Sequence, residues 1–178
     1  MNAHNKKNLT GNESILSQDE IIVTKTDSIG KIRYGNRTFF KYSGYSYSEC
    51  IGFQHNIVRH PEMPRTIFKL LWDSISAGNE IFAYVNNRAK NGDHYWVLAH
   101  VTPSIDTSGQ LLGYHSNRRA PSQHTLREHI EPLYKNLLHA ERSASSPKEG
   151  LVAGMTILSQ VIGCDPSAYN EYIFSLGV

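Results

Sequence analysis

Apolar positions in the first two thirds of this chain fall in short alternating runs cut by Gly, Asn and Asp, whereas those of the last third recur at helical spacing. Residues 1–18 show no period and are rich in Asn, Ser, Thr, Gly and Lys, which predicts a flexible N-terminal arm. An apolar run at Ile21 to Val23, a "TDSIG" turn and a second run through Ile32 and Tyr34 predict a hairpin. "NRTFFKYSGYSYSEC" fits short helical turns, because Gly44 stops one segment and "SYSE" has the form of a capping box for the next. Ile67, Leu70, Leu71, Ser74 and Ile75 then share one helical face between Pro64 and Gly78.

Three further strands follow: "EIFAYVNNRAK", "HYWVLAHVTPSI" and "LLGYHSNRRA", joined by "NGD" and "DTSGQ" turns. In the middle one Tyr95, Val97, Ala99 and Val101 alternate with His94, Trp96, Leu98 and His100, so both faces carry large groups. One face is therefore expected to be covered while the other lines a cavity. The order predicts an α+β fold: a five-stranded antiparallel sheet with short helices over one face, spanning 19–121.

From 122 to 178 the pattern predicts a C-terminal helical extension. Leu126, Ile130, Leu133 and Leu137 form one stripe, with Pro132 kinking or restarting the helix. "RSASSPKEG" reads as a linker, and Leu151, Met155, Leu158 and Ile162 form a second stripe. In "CDPSAYNEYIFSL", Asp165 is the expected N-cap and Pro166 the first helical position. Such stripes need burial on the sheet, on each other or on a second chain.

Composition narrows the picture by exclusion. The chain has 178 residues and a formal net charge of +2, with its Lys and Arg scattered, which gives no electrostatic case for nucleic acid. Cys50 and Cys164 stand far apart, outside any CxxC, which excludes the usual zinc spacing and suits a reducing compartment. No window approaches a membrane span, so a cytoplasmic protein without direct membrane insertion is expected.

The densest candidate chemistry is "HNIVRHPEMP", His55 to Pro64. His55 and His60 are too widely spaced for a zinc pair on one helix, and Pro61 follows at once. An axial haem ligand needs only one His, but no C-x-x-C-H supports it. No Ser or Cys sits in a nucleophile elbow, and no G-x-G-x-x-G accompanies a strand–helix unit, so the residues make no case for an enzyme. Spacing alone leaves the motif as a polar loop leading into a helix.

The wording "HNIVRHPEMPRTIFKLLW" and "NNRAKNGDHYWVLAHVTPSID", with "YGNRTFFKYSGYS" before them, resembles the PAS domain of bacterial aerotaxis receptors over roughly Asp19 to Pro121. The tail after Pro121 differs from a receptor's membrane anchor, and the chain is similar to stand-alone PAS proteins that serve a separate membrane chemoreceptor in split energy-taxis systems. That resemblance implies a PAS fold and a non-enzymatic sensor of redox or oxygen status that binds FAD noncovalently. Haem b is the alternative cofactor, and a cofactor-free dimerisation module the alternative function. It implies a homodimer, with a chemoreceptor as signalling partner and as recruiter to the membrane. It also implies that Arg59, His60 and Glu62 occupy the family's Arg-His-Asp cofactor cluster, Glu62 replacing the Asp. Asn36, Phe68, Trp72, Asn87 and Trp96 stand at matching pocket or relay positions, with His55 and Asn56 as neighbours. Physically, an Arg suits phosphate and amides suit the polar edge of an isoalloxazine, while apolar walls exclude water.

Overall fold

Alternation along the chain becomes a single antiparallel sheet in the computed structural model, which describes residues 9–163 and 167–177. The strands are β1 (Ile22–Asp27), β2 (Ile32–Gly35), β3 (Ile81–Arg88), β4 (His94–Ile105) and β5 (Leu111–Arg119), in the spatial order β2-β1-β5-β4-β3. The β1–β2 turn is held by Asp27, whose carboxylate accepts from the backbone N–H of Ile29 (3.2 Å) and Lys31 (2.8 Å). Between β2 and β3 run α1 (Arg37–Ser43), α2 (Tyr47–Cys50), a 3-10 turn (His55–Val58) and α3 (Arg65–Ser76). The capping box is present, with Ser46 and Glu49 in reciprocal bonds. The helices from α1 to α3 lie over one face of the sheet, in the element order expected from the sequence.

Asn36 is a structural pin. Its Oδ1 accepts from Phe39 N (3.0 Å) and Val23 N (3.1 Å), and its Nδ2 donates to Ile21 O (2.8 Å). One side chain thus starts α1 and ties it to β1.

The C-terminal extension comprises α4 (Gln123–Thr125), a π-helical turn (Leu126–Ile130), α5 (Glu131–Ser143), α6 (Pro147–Ile162) and α7 (Ala168–Ser175). Its helices α5 and α7 pack on the outer face of β3 and β4, while α6 packs against α3. Tyr134 donates to the carbonyl of Tyr84 (2.7 Å), its hydroxyl lies 3.2 Å from that of Tyr169, and its ring sits 6.0 Å from Trp96. Asn170 spans the free edge of β3: its Oδ1 accepts from Phe82 N (2.9 Å) and its Nδ2 donates to Glu80 O (3.2 Å). An exposed strand edge is a template for unwanted pairing; α7 closes the start of this one, and His60 N donates to Asn86 O at its far end.

Some expectations change. Residues 9–18, read as part of a flexible arm, lie along the start of β4: Asn12 O accepts from His94 N (2.9 Å), Ser14 N donates to His94 O (2.7 Å), and Leu16 is buried. The reason is that β5 pairs with β4 only from Leu98 onward, leaving those backbone groups of His94 to another segment. The nine-residue linker shrinks to Ala144–Ser146, since Ser146 caps α6 and Pro147 opens it. On α6 the buried positions include Gly150 and Gly154 beside Leu158, while Leu151, Met155 and Ile162 of the expected stripe are half-buried, so small residues share the contact face with that stripe. Asp165 and Pro166, expected to start the last helix, lie outside the described residues.

Candidate functional site

Because strand side chains alternate, β1 and β5 turn Thr24, Thr26, Tyr114, Ser116 and Arg118 to the inner face, and β3 and β4 turn Val85, Asn87, Ala99 and Val101 there. The helices close over them at a distance, leaving a cavity of about 420 Å³. Val58, Phe68, Leu71 and Ile75 supply apolar walls, and Gln54, Asn56 and Asn87 supply amides. The size falls within the ~300–1,000 Å³ of small-molecule sites.

Of the residues singled out in the sequence, His55, Asn56, Arg59, Phe68, Trp72 and Asn87 line this cavity together. The Arg59 guanidinium lies 4.0 Å over the Phe68 ring and donates to the carbonyl of Met63 (3.1 Å), while its Nε has no partner among the described residues. Burial lowers the pKa of Arg59. Trp72 meets Tyr114 edge-on at 5.5 Å.

His60, Glu62, Trp96 and Asn36 are not brought to the cavity lining. The His60 ring packs against His94 at 5.6 Å, and its Nδ1 accepts from Glu62 N (3.3 Å). Glu62 is exposed. Trp96 falls on the opposite face because strand side chains alternate: its neighbours Tyr95 and Val97 point the other way. Asn36 spends its amide on capping.

Sequence reasoning missed Arg118. It is 6% exposed and, among the described residues, has no carboxylate partner: its Nη2 donates to Thr24 Oγ1 (3.0 Å) and His55 Nε2 (2.9 Å), and its Nη1 has no partner there. A guanidinium has no acceptor atom, so His55 Nε2 must accept and the His55 proton sits on Nδ1. Burial first, and the Arg118 charge second, push the His55 pKa down to about 3. Burial likewise pushes Arg118 down to about 10. Ser116 Oγ and Thr26 Oγ1, also in the lining, likewise lack partners among the described residues. Buried polar groups are normally bonded, so this set suits a ligand with several hydrogen-bonding atoms. The signal available in the sequence was a lone arginine among the inward positions of β5, two residues after Ser116.

These histidines make stability pH-dependent. His60 is held at about 4 by burial, with the His94 neighbour adding to it. Both rings fold neutral and gain protons on unfolding, so their contribution is complete above the ordinary His range and falls away as pH drops toward those values. Moving from about pH 7 to about pH 5 is expected to lower unfolding free energy by roughly 2–4 kcal/mol. Urea midpoints at the two pH values check this, and equal midpoints would refute it.

A family model described as "PAS fold" matches residues 32–118. The aerotaxis receptor of Escherichia coli (strain K12) is 38% identical over 144 residues, which cover 81% of this chain and 28% of the receptor. A nitrogen fixation regulatory protein of Klebsiella pneumoniae is 24% identical over 106 residues, 60% of this chain and 21% of that protein. The chain thus spans about a quarter of the length of these relatives. Among solved structures, the light state of the blue-light photoreceptor Aureochrome1 LOV superposes with a TM-score of 0.55 at 22% identity, covering 65% of this chain and 91% of that one. A PAS domain from Colwellia psychrerythraea gives a TM-score of 0.53 at 19% identity, with 58% and 87% covered. These two likenesses concern the fold.

Proposed function

We propose that this chain, whose residues 32–118 match the PAS fold and which is similar to an aerotaxis receptor, is a sensor that binds FAD noncovalently in the cavity and relays redox or oxygen status to a membrane chemoreceptor. The observation that carries the reading is the set of polar atoms unpartnered among the described residues, on Arg118, Ser116, Thr26 and Arg59, within apolar walls. A flavin ring has a polar edge to meet such groups and an apolar body to fill such walls. When bound, FAD supplies a reversible change of redox state with a change in protonation of its ring.

The chain's own residues have separate tasks in this reading. Arg118 presents a fixed positive charge, which favours electron density on a ligand atom beside it. His55 stays neutral and orients Arg118 by accepting from it. Asn87 and Asn56 offer amides whose donor and acceptor ends can exchange when the ligand's demands change. Phe68, Leu71 and Val85 exclude water. No residue here is assigned a turnover step. The proposal includes a cytoplasmic location, a homodimer and recruitment to the membrane by the receptor.

The haem b alternative is less well supported. The histidine in the cavity lining, His55, has its Nε2 engaged by Arg118 and Thr24, and His60 packs elsewhere.

The absorption spectrum of purified protein tests the proposal. Blue-region flavin bands support it, a Soret band would transfer the site to haem, and protein that stays colourless with added FAD would leave the cofactor-free module. Among variants, Arg59→Ala is expected to lower FAD occupancy while His60→Ala retains it, because only Arg59 lines the cavity. Loss of FAD from His60→Ala alone would refute this assignment.

A further inference from the structure

The cavity is walled by more than the sheet and its first helices. Leu151 of α6 belongs to its lining, and the N-terminus of α3, which presents Phe68 and Trp72 to it, is finished by the C-terminal hairpin. Pro64 precedes α3 and offers no side-chain cap. The orphan amides are taken by Glu141 of α5: its Oε2 accepts from Arg65 N (3.0 Å), and its Oε1 from Thr66 N (2.8 Å) and Thr66 Oγ1 (2.7 Å). A carboxylate is well matched to a helix N-terminus in both hydrogen bonding and dipole.

Helix α6 grips the same turn. Arg65 Nη1 donates to the carbonyl of Pro147 (3.0 Å). A Cβ at Gly154 would lie 2.0 Å from Thr66 Oγ1, and one at Gly150 would lie 2.5 Å from the Glu141 carbonyl oxygen. The two glycines therefore permit α6 to approach α3 and α5 more closely than any other residue type would. Arg65, tethered to α6, is itself part of the cavity lining.

We infer that docking of the α5–α6 hairpin and occupancy of the cavity are coupled, with Glu141 as the positioning residue. A ligand that contacts Leu151 and Arg65 finds them in place only when the hairpin is docked, so it binds that state better and stabilises it. Reciprocity then requires that releasing the hairpin weakens the ligand by the same factor. The ligand's identity rests on the flavin reading above; the clamp itself does not.

The test pairs FAD titration, followed by flavin fluorescence, with amide hydrogen exchange on the full chain. Glu141→Ala is expected to weaken FAD about tenfold, within the usual ~5–150-fold range of coupling. In the wild type FAD slows exchange along α6, and in the variant α6 and the Phe68 turn of α3 exchange faster even without FAD. Glu141→Gln, which keeps one acceptor oxygen for Thr66, recovers part of the affinity. Faster α6 exchange with unchanged FAD affinity would overturn the coupling, and unchanged α6 exchange would overturn the clamp. Wild-type protein that takes up no FAD would defeat the flavin reading instead. The apo proteins then decide the coupling: it stands if the Phe68 turn loosens in Glu141→Ala and falls if only α6 does.

Discussion

Arg118→Met is expected to give a more stable empty protein that binds FAD roughly 30–100-fold more weakly, the equivalent of one charge-assisted hydrogen bond of ~2–3 kcal/mol. Arg118 is buried, its partners are the neutral Thr24 and His55, and its Nη1 has none among the described residues. Burying a cation without a counter-charge is costly, and replacing buried charged groups by apolar ones of similar volume often stabilises by ~1–4 kcal/mol. Little is orphaned by the change, because the Thr24 hydroxyl lies 3.1 Å from His55 Nε2 and can serve as its donor. Urea unfolding without ligand and flavin titration read the two effects separately. A variant less stable than the wild type when empty would show that Arg118 is held for the fold, and unchanged FAD affinity would show that it does not meet the ligand.

Tyr134→Ala is expected to destabilise the protein by ~3–5 kcal/mol, the usual range for removing a buried aromatic. The ring fills the space over Trp96, and the hydroxyl closes a bond to the Tyr84 carbonyl beside Tyr169. Its loss leaves a cavity and an unpaired carbonyl together, at the point where α5, α7 and β3 meet. Thermal and urea unfolding monitored by tryptophan fluorescence measure it, with Trp96 directly beneath the altered site. A loss below ~1 kcal/mol would mean that the helices contribute little to the folded sheet.

The sequence made the element order readable because its turns are chemically explicit: Asp27 and Gly30, "NGD", and Asp106 with Gly109 each sit where backbone amides need an acceptor or a positive φ. Part of the cavity wall was legible through the resemblance instead, which marked Phe68 and Trp72 on α3 and Asn87 on β3. His60 and Glu62 lie outside the cavity lining, which the sequence could not show because a loop has no period: nothing in "RHPEMP" tells which side chain turns inward. Trp96 lies on the other face despite a clear period, since alternation separates the two faces without saying which one is the cavity. Arg118 escaped notice because a charged residue on a strand is ordinarily solvated, and only tertiary structure reveals its burial. The glycine face of α6 illustrates a different blind spot: hydrophobic spacing finds apolar stripes, while close approach is mediated by residues with nothing to bury.

The outer surface of β3 and β4 is, in effect, already claimed by a ligand carried on the same chain. Tyr134, Tyr169, Ile173 and Phe174 stand between Tyr84, Trp96 and Phe82 and any visiting molecule. A second protein seeking that surface would have to compete with an intramolecular occupant whose effective concentration far exceeds its own. Newcomers therefore meet the uncovered margin of the sheet around Lys25 and Tyr34, or the solvent side of α6 at Val152 and Val161, without contest.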